Sequence, residues 1–302
     1  MSAAAEAAPA ARPAANAPGR RRRTGGFWQR VGRQVLRDKV ALVCAVVLAL
    51  IALSAIFAPW IAPADPYKTS MLRRLLPPLS PNFILGTDEL GRDMLTRLLY
   101  GGRVSLSMGI APVLFATILG GALGITAGYF GKAVNMAIMR VVDVFYAFPS
   151  VLLAVAMAGV LGAGIFNSLI SLTLVFIPPI TRVAESVTTQ VRNQDYVEAA
   201  RATGASSLRI ILQHVLANVT GPILTYASSL VSIAIIISSG LSFLGLGAAP
   251  PIADWGLMLN TLRQAIYVAP INAVLPGVMI FAASVSFNLL SDSLRTAMDV
   301  RA

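Results

Sequence analysis

Long apolar runs dominate this sequence and constrain its fold more than any other feature. A helix needs about 20 predominantly apolar residues to cross the hydrocarbon core of a bilayer. Runs of about this length cover residues 40–61, 104–128, 135–160, 166–183, 222–246 and 272–290. Only 12% of all residues are charged, whereas soluble domains carry about 25%. The pattern predicts an all-α, polytopic membrane protein with about six transmembrane helices.

Positive charge is concentrated before the first run. Residues 1–39 account for +7 of the net charge of +11. Their start is rich in Ala and Pro and lacks the early apolar segment of a signal peptide. We expect a disordered basic arm held in the cytosol by the positive-inside rule, not a nucleic-acid-binding segment. With about six spans, both termini are then cytosolic, residues 182–221 face inward, and residues 62–103 and 247–271 face outward.

The sequence offers little for catalysis. Cys44 is the only cysteine and His214 the only histidine, which excludes an intrachain disulfide and a multi-histidine metal site. The phosphate-binding pattern G-x-x-x-x-G-K-[ST] does not occur in the sequence. We therefore expect no catalytic residue, no bound metal and no cofactor in this chain.

Three glycines of the second run are spaced for close helix contact. Gly120, Gly124 and Gly128 recur every four residues, so they share one helical face on which another backbone can approach. The spacing predicts a helix interface, which could lie within this chain or against another subunit.

The third and fourth runs contain prolines and charges. Pro149, Pro178 and Pro179 are expected to kink their helices. Arg140 and Asp143 are predicted to form a membrane charge pair. Each would cost about 2.5–3.5 kcal/mol at a helix centre, so the pair is expected near the cytosolic interface.

A polar, helix-forming segment interrupts the apolar pattern at residues 195–221. Gly204 should break it into two helices because glycine tolerates a positive φ. Ser206 or Ser207 can cap the second helix. Its apolar residues recur at i, i+3, i+4 and i+7, which predicts an amphipathic helix; they are Leu208, Ile211, Leu212 and Val215. Geometry alone fits either a partner-docking hairpin or a solvated interfacial one.

The hairpin carries a family resemblance. "EAARATGAS" at residues 198–206, followed by Ile210 and Leu216, resembles the EAA loop of permease subunits in bacterial ABC importers. Further stretches narrow the resemblance to C-type permeases of the dipeptide, oligopeptide and nickel importers. They are "LGTDELGRDMLTRLLYGGRVSL" (85–106), "AGYFG" (127–131), "MRVVDVFYAFPSVLLA" (139–154), "SFLGLGAAPPIADWG" (242–256) and "FNLLSDSLRTAMD" (287–299). The family usually has Pro before Asn218, where this chain has Ala217, so we expect the second helix to run slightly longer.

The resemblance implies a type I ABC importer permease fold. Its organisation would be the arm at 1–39, a first transmembrane helix and periplasmic segment at 40–103, the permease core at 104–292 with the coupling loop at 195–221, and a cytosolic tail at 293–302. The loop would dock on an ATPase subunit; the coupling residues implied are Tyr196, Glu198, Ala199, Ala200, Gly204, Ala205, Ser206 and Ile210. Residues 86–93 and 245–256 could contact a binding protein or be purely structural.

The same resemblance implies partners and a cargo. The partners are a homologous B-type permease, two cytosolic ATPase subunits that carry ATP and Mg, a periplasmic or lipid-anchored substrate-binding protein, and membrane lipid. The chain would move di- or oligopeptides across the bacterial inner membrane by alternating access. Nickel chelates and glutathione are alternative cargoes, and a secondary transporter is the alternative of another class. Pathway hydroxyls are expected at Ser171, Thr173, Ser228, Ser229 and Ser232.

Overall fold

The computed structural model describes Gly32 and residues 37–299, and within these residues it is built of helices and connecting loops without a β-strand. The all-α prediction is confirmed. The predicted basic arm at 1–39 lies almost entirely outside the described residues. The longer helices are α1 (Lys39–Ile56), α2 (Met94–Phe130), α3 (Lys132–Tyr146), α4 (Ser150–Leu161), α5 (Ile165–Arg192), α6 (Asp195–Ala202), α7 (Ser207–Phe243), α8 (Trp255–Leu262) and α9 (Pro270–Asp299). Short helical turns lie at Ala58–Ile61, Met71–Arg73 and Arg263–Tyr267.

The helices bear out about six spans. Five of them, α1, α2, α5, α7 and α9, are long and apolar enough to cross a membrane. The helices α3 and α4 count as a sixth span only as a pair, because they are apolar enough together but meet at an angle of 89°. The break falls at residues 147–149, just before α4 begins after Pro149. Proline lacks an N–H and disfavours helical backbone in the preceding residue. Pro178 and Pro179, by contrast, lie inside a continuous α5.

The core of the bundle is the contact between α2 and α5. These helices pack together more extensively than any other described pair. A Cβ added at Gly120 would lie 2.8 Å from the carbonyl oxygen of Ile177, and one at Gly128 would lie 2.7 Å from that of Glu185. One added at Gly124 would also meet α5 backbone. The three glycines therefore form an interface within this chain, not one with another subunit.

Two ends of the bundle can be distinguished. One end carries α6 and the start of α7, and we call it the hairpin face. The other carries residues 62–93 and 244–269, which we call the cap. The described ends of the chain both lie at the hairpin face, where the hydroxyl of Ser293 bonds the carboxylate of Asp38 and holds its pKa below the usual value.

The cap is fixed to the bundle by buried charges. The Asp88 carboxylate lies 2.6 Å from Nε of Arg92 and 3.3 Å from Nε of Arg97. Arg97 also donates to the carbonyls of Pro66 and Pro251, at 3.3 and 3.4 Å. The guanidinium thus ties together both segments of the cap. All three charged side chains are almost completely buried, so this part of residues 86–93 is structural.

A second junction joins the cap to α2. The Ser105 hydroxyl donates to Asp254 at 2.6 Å and accepts from the Trp255 N–H at 3.0 Å. The Trp255 indole donates to the carbonyl of Leu98 at 2.9 Å, and its ring fills the space beside Gly101. Asp254 and Trp255 are buried, so they too hold the cap in place.

Three predicted domain boundaries fall inside helices. The division at 103/104 falls inside α2, and the proposed tail at 293–302 begins inside α9, which is helical up to Asp299. The coupling loop was expected to end near Pro222, but this proline lies within α7. In each case a helix extends beyond its apolar run, because polar turns at the membrane surface continue the same hydrogen-bonded ladder.

Candidate coupling hairpin and translocation cavity

The hairpin between α6 and α7 is closed by a glycine turn. Gly204 has φ +80°, a conformation that suits glycine. Its N–H donates to the carbonyl of Arg201 at 3.1 Å, while the N–H of Ala205 donates to Ala200 at 3.1 Å. These two bonds form the Schellman motif, which satisfies the last carbonyls of a helix. The predicted break at Gly204 is confirmed.

The second helix begins at a capped serine. The Ser206 hydroxyl accepts from the N–H of Arg209 at 3.4 Å, which makes Ser206, not Ser207, the N-cap. In α6, Asp195 and Glu198 lie in the first turn and Arg201 in the last. Each charge has the sign that the helix dipole favours at its end.

Three buried side chains anchor the hairpin to the bundle. Val197, Ile210 and Val215 have almost no solvent exposure. Ile210 was predicted to contact the ATPase, but as an anchor it is inaccessible. The predicted apolar face is also wrong, because Leu208 and Leu212 are exposed. The buried positions are Ile210 and Val215 instead, which are five residues apart because the π-helical turn at Ile211–Val215 inserts one residue.

The remaining coupling residues form an accessible surface. Tyr196, Glu198, Ala199, Gly204 and Ser206 are exposed, whereas Ala200 and Ala205 are half-buried.

Flanking groups support this surface. The ring of Tyr196 lies 6.2 Å from that of His214, and the guanidinium of Arg201 lies 6.0 Å from the ring centroid of Tyr129. The exposed Leu208 and Leu212 extend the same end of the bundle with apolar area. The hairpin therefore exposes small, charged and apolar groups side by side.

The hairpin is continuous with a spanning helix. α7 runs from Ser207 through Ala217 to Phe243 without a break. The hairpin and this spanning helix are therefore one continuous element, and α7 also packs against α2, α5 and α9. That Ala217, in place of Pro, lengthens this helix stays a prediction.

A large cavity opens beside α7 near the hairpin face. Its volume is about 1190 Å³, and α5, α7 and α9 enclose it. Its polar lining includes neutral groups and two charges: Asn218, Thr220, Ser229, Asn288, Asp292 and Arg295. A hydrated solute can therefore be met by hydrogen-bonding groups at this position.

A smaller cavity adjoins the large one. It measures about 320 Å³ and lies at the bend between α3 and α4, with Tyr146 and Pro178 in its wall. Tyr226 and Ile233 line both cavities. The two spaces are therefore neighbours along α7.

Most predicted pathway hydroxyls are not in these walls. Only Ser229 lines a cavity. The hydroxyls of Ser171, Thr173, Ser228 and Ser232 donate to carbonyls of their own helices one turn earlier, as serine and threonine commonly do within helices.

Asp143 does not pair with Arg140 as predicted. Asp143 forms its ion pair with Arg182 of α5, at 2.5 Å. Arg140 is exposed on α3, three residues and about 300° of helical rotation from Asp143. Its side chain makes no ion pair with another described residue. Arg182 was missed, although it closes an apolar run at a depth similar to that of Asp143.

Among the described residues, no three His, Cys, Asp or Glu side chains are grouped closely enough to hold a metal ion. The candidate site has two parts, the exposed hairpin surface and the polar-lined cavity beside α7.

Two segments of the chain match known protein families. Residues 120–302 match the family described as "Binding-protein-dependent transport system inner membrane component", and residues 26–78 match the "N-terminal TM domain of oligopeptide transport permease C". The first match covers more than half of the sequence. The chain belongs to the binding-protein-dependent transport permeases.

Similar proteins share most of this permease's length. It is 38% identical to the dipeptide transport system permease DppC of Alkalihalophilus pseudofirmus, over 90% of this chain and 89% of that protein. It is 39% identical to the di/tripeptide permease DppC of Pseudomonas aeruginosa, over 90% of each. It is 37% identical to the glutathione transport permease GsiD of Pectobacterium atrosepticum, again over 90% of each.

A solved structure confirms the fold. The MetNI methionine ABC transporter, in an inward-facing conformation, contains a chain that matches 68% of this permease with 97% of its own length. The TM-score is 0.55 at 16% identity. The permease is thus a multi-pass membrane protein with the ABC importer permease fold.

Proposed function

We propose that this permease is the C-type subunit of an ATP-driven importer for di- and oligopeptides in the bacterial inner membrane. The exposed, glycine-closed hairpin that continues into a cavity-lining helix carries the proposal. This geometry links a cytosolic docking surface to the transport path through one continuous helix. It accounts for both the polar segment and the lined cavity.

The hairpin docks on one of two ATPase subunits. ATP and Mg bind to those subunits, and this chain needs no cofactor. The contact uses Tyr196, Glu198 and Ala199 on α6, with Gly204 and Ser206 at the turn. The small Ala199 side chain allows close approach, while Glu198 supplies charge at the rim.

The orientation follows from the same assignment. The hairpin face, with both described chain ends, lies in the cytosol, and the cap faces the periplasm. A periplasmic or lipid-anchored binding protein delivers cargo to the cap side. A homologous B-type permease completes the pathway, and closure of the ATPases switches it between inward- and outward-facing states.

Short peptides suit the cavity chemistry. The larger cavity exceeds the range of about 300–1,000 Å³ common for small-molecule sites, so it accommodates a hydrated peptide. Its neutral polar groups can bond a peptide backbone, and weak contacts allow release downstream of a high-affinity receptor. The names of two similar permeases, for dipeptides and di/tripeptides, support the same cargo.

Glutathione is a second candidate because a similar permease carries that name. It is itself a tripeptide and would use the same cavity.

Gene deletion and complementation test the cargo. We expect the deletion strain to lose growth on dipeptides as sole amino-acid source and to lose uptake of labelled dipeptide, with both restored by the wild-type gene. Glutathione uptake and cellular nickel are measured in the same strains. Unchanged dipeptide uptake with a collapse of either of the other two would contradict the peptide assignment.

A further inference from the structure

The ion pair between Asp143 and Arg182 joins α3 to α5, two helices that both line the smaller cavity. Nη2 of Arg182 lies 2.5 Å from Oδ1 of Asp143. The guanidinium also lies 4.4 Å from the ring centroid of Tyr146. The Asp143 and Arg182 side chains are nevertheless 47% and 43% exposed, so the pair faces open space on one side.

The pair lies well below the hairpin face. Arg192, at the end of α5, donates to the carbonyls of Gly128 and Tyr129, at 3.0 and 3.4 Å. These bonds set the ends of α2 and α5 at one level. Arg182 is ten residues from that end, roughly 15 Å along the helix. The pair therefore lies about three helical turns below the hairpin face, where the apolar run of α5 ends.

Both residues continue the walls of the cavities. Arg182 lies one helical turn beyond Pro178, which lines the smaller cavity, and next to Val183, which lines the larger one. Asp143 lies nearly one turn before Tyr146, which lines the smaller cavity. Neither charged side chain lines a cavity itself, but both adjoin residues that do, so the pair lies beside the passage between the two cavities.

Lipid is an unsuitable neighbour for such a pair. Ionised groups at membrane depth face a bundle interior or a water-filled cavity and commonly mark transport paths. Tyr146, which lies against the Arg182 guanidinium, lines the smaller cavity, so the half-exposed side of the pair opens toward the cavities.

We propose that Asp143 and Arg182 form a subsite for the two charged termini of a zwitterionic peptide. The Arg182 guanidinium takes the peptide carboxylate, and Asp143 takes the ammonium group. The two residues bond each other in this structure, and a peptide with both charges replaces both halves of that bond. A capped, neutral peptide replaces neither. This assignment rests on the proposed peptide function.

A charge-filter experiment tests whether the pair faces the pathway. Val183→Cys, in a Cys44→Ala background, is assembled in the complete importer in inside-out vesicles. Its modification rates are measured with small anionic and cationic methanethiosulfonate reagents. Arg182→Gln should lower the anionic-to-cationic rate ratio by roughly threefold or more, since one positive charge near the thiol is lost. Asp143→Asn should raise the ratio.

Arg140→Gln is the matched control, since it removes a charge from the same helix as Asp143 but outside the pair, and the ratio should stay the same. An unreactive thiol at position 183, or equal ratios in all variants, would overturn the pathway assignment. Neither result depends on which cargo is carried, so this arm can fail while the peptide function stands.

Substrate protection tests the termini. Dialanine at millimolar concentration should slow modification of Val183→Cys, whereas N-acetyl-dialanine amide should not. Arg182→Gln should abolish the protection, and Arg140→Gln should retain it. Equal protection by both compounds, or protection that survives Arg182→Gln, would refute the terminal-group subsite. Loss of dipeptide uptake on gene deletion, measured separately, shows whether the peptide function itself holds.

Discussion

Two nearby glycines of α2 respond oppositely to the same substitution. Gly124 faces α5, and an added Cβ would lie 2.5 Å from Cβ of Ala184 and 2.8 Å from the backbone nitrogen of Glu185. Gly121 is also buried, yet an added Cβ would have no heavy atom of another element within 4 Å. The pair thus separates packing from the general effect of replacing glycine in a helix.

The expected magnitude follows from the distances. Carbon atoms prefer separations of about 3.5–4.0 Å, so Gly124→Ala requires α2 and α5 to separate by roughly 1 Å. Overpacking of this kind typically costs about 1–3 kcal/mol, or about 5- to 150-fold in the unfolding equilibrium. Gly121→Ala meets no clash and gains helix propensity, worth up to about 1 kcal/mol in aqueous peptides.

Unfolding of both variants, purified in the same detergent, measures the difference. Denaturant titration followed by tryptophan fluorescence should show Gly124→Ala destabilised and Gly121→Ala unchanged or stabilised. The packing of α2 on α5 is described wrongly if the two variants shift together, or if Gly124→Ala is the more stable one.

Three further predictions concern the hairpin, the orientation and the cap. Gly204→Ala should destabilise the hairpin by about 1 kcal/mol, because the added Cβ has free space but the positive φ is strained. Transport in vesicles should then fall, and Gly204→Asn, which tolerates this φ, should transport better than the alanine variant. Single cysteines are placed at Arg201 or Tyr267 in a Cys44→Ala background, and intact cells are treated with a membrane-impermeant thiol reagent. Only position 267, which is 93% exposed in the cap, should be labelled, and labelling of position 201 alone would reverse the orientation. Ser105→Ala should destabilise the purified permease by about 1–3 kcal/mol, since two buried partners lose a hydrogen bond, whereas the exposed Ser107→Ala should match wild type in the same unfolding titration.

The spans and the hairpin could be predicted because their signals are local. Apolar runs near 20 residues have few alternatives to a spanning helix. The positive φ of Gly204 and the cap at Ser206 depend on backbone chemistry within a few residues. The shared face of Gly120 and Gly124 likewise follows from helical spacing alone.

The predictions that proved wrong depend on tertiary structure. Asp143 pairs with a residue 39 positions away, so spacing within its own helix pointed to Arg140 instead. The π-helical turn at Ile211–Val215 changes which apolar residues of α7 share a buried face, and no simple periodicity indicates such a turn. The structural role of Asp88 and Asp254 appears only when the cap folds onto α2, since exposed and buried acidic loops look alike in sequence.

The central claim is that the hairpin is the docking surface for an ATPase subunit. A photo-reactive amino acid at Ala199, on the hairpin, is compared with one at Tyr267, on the cap, in the assembled importer. Irradiation should cross-link position 199 to an ATPase subunit and position 267 to none, with adducts identified by mass spectrometry. Absence of an ATPase adduct at 199 in a complex that still transports, or an ATPase adduct at 267, would contradict the account.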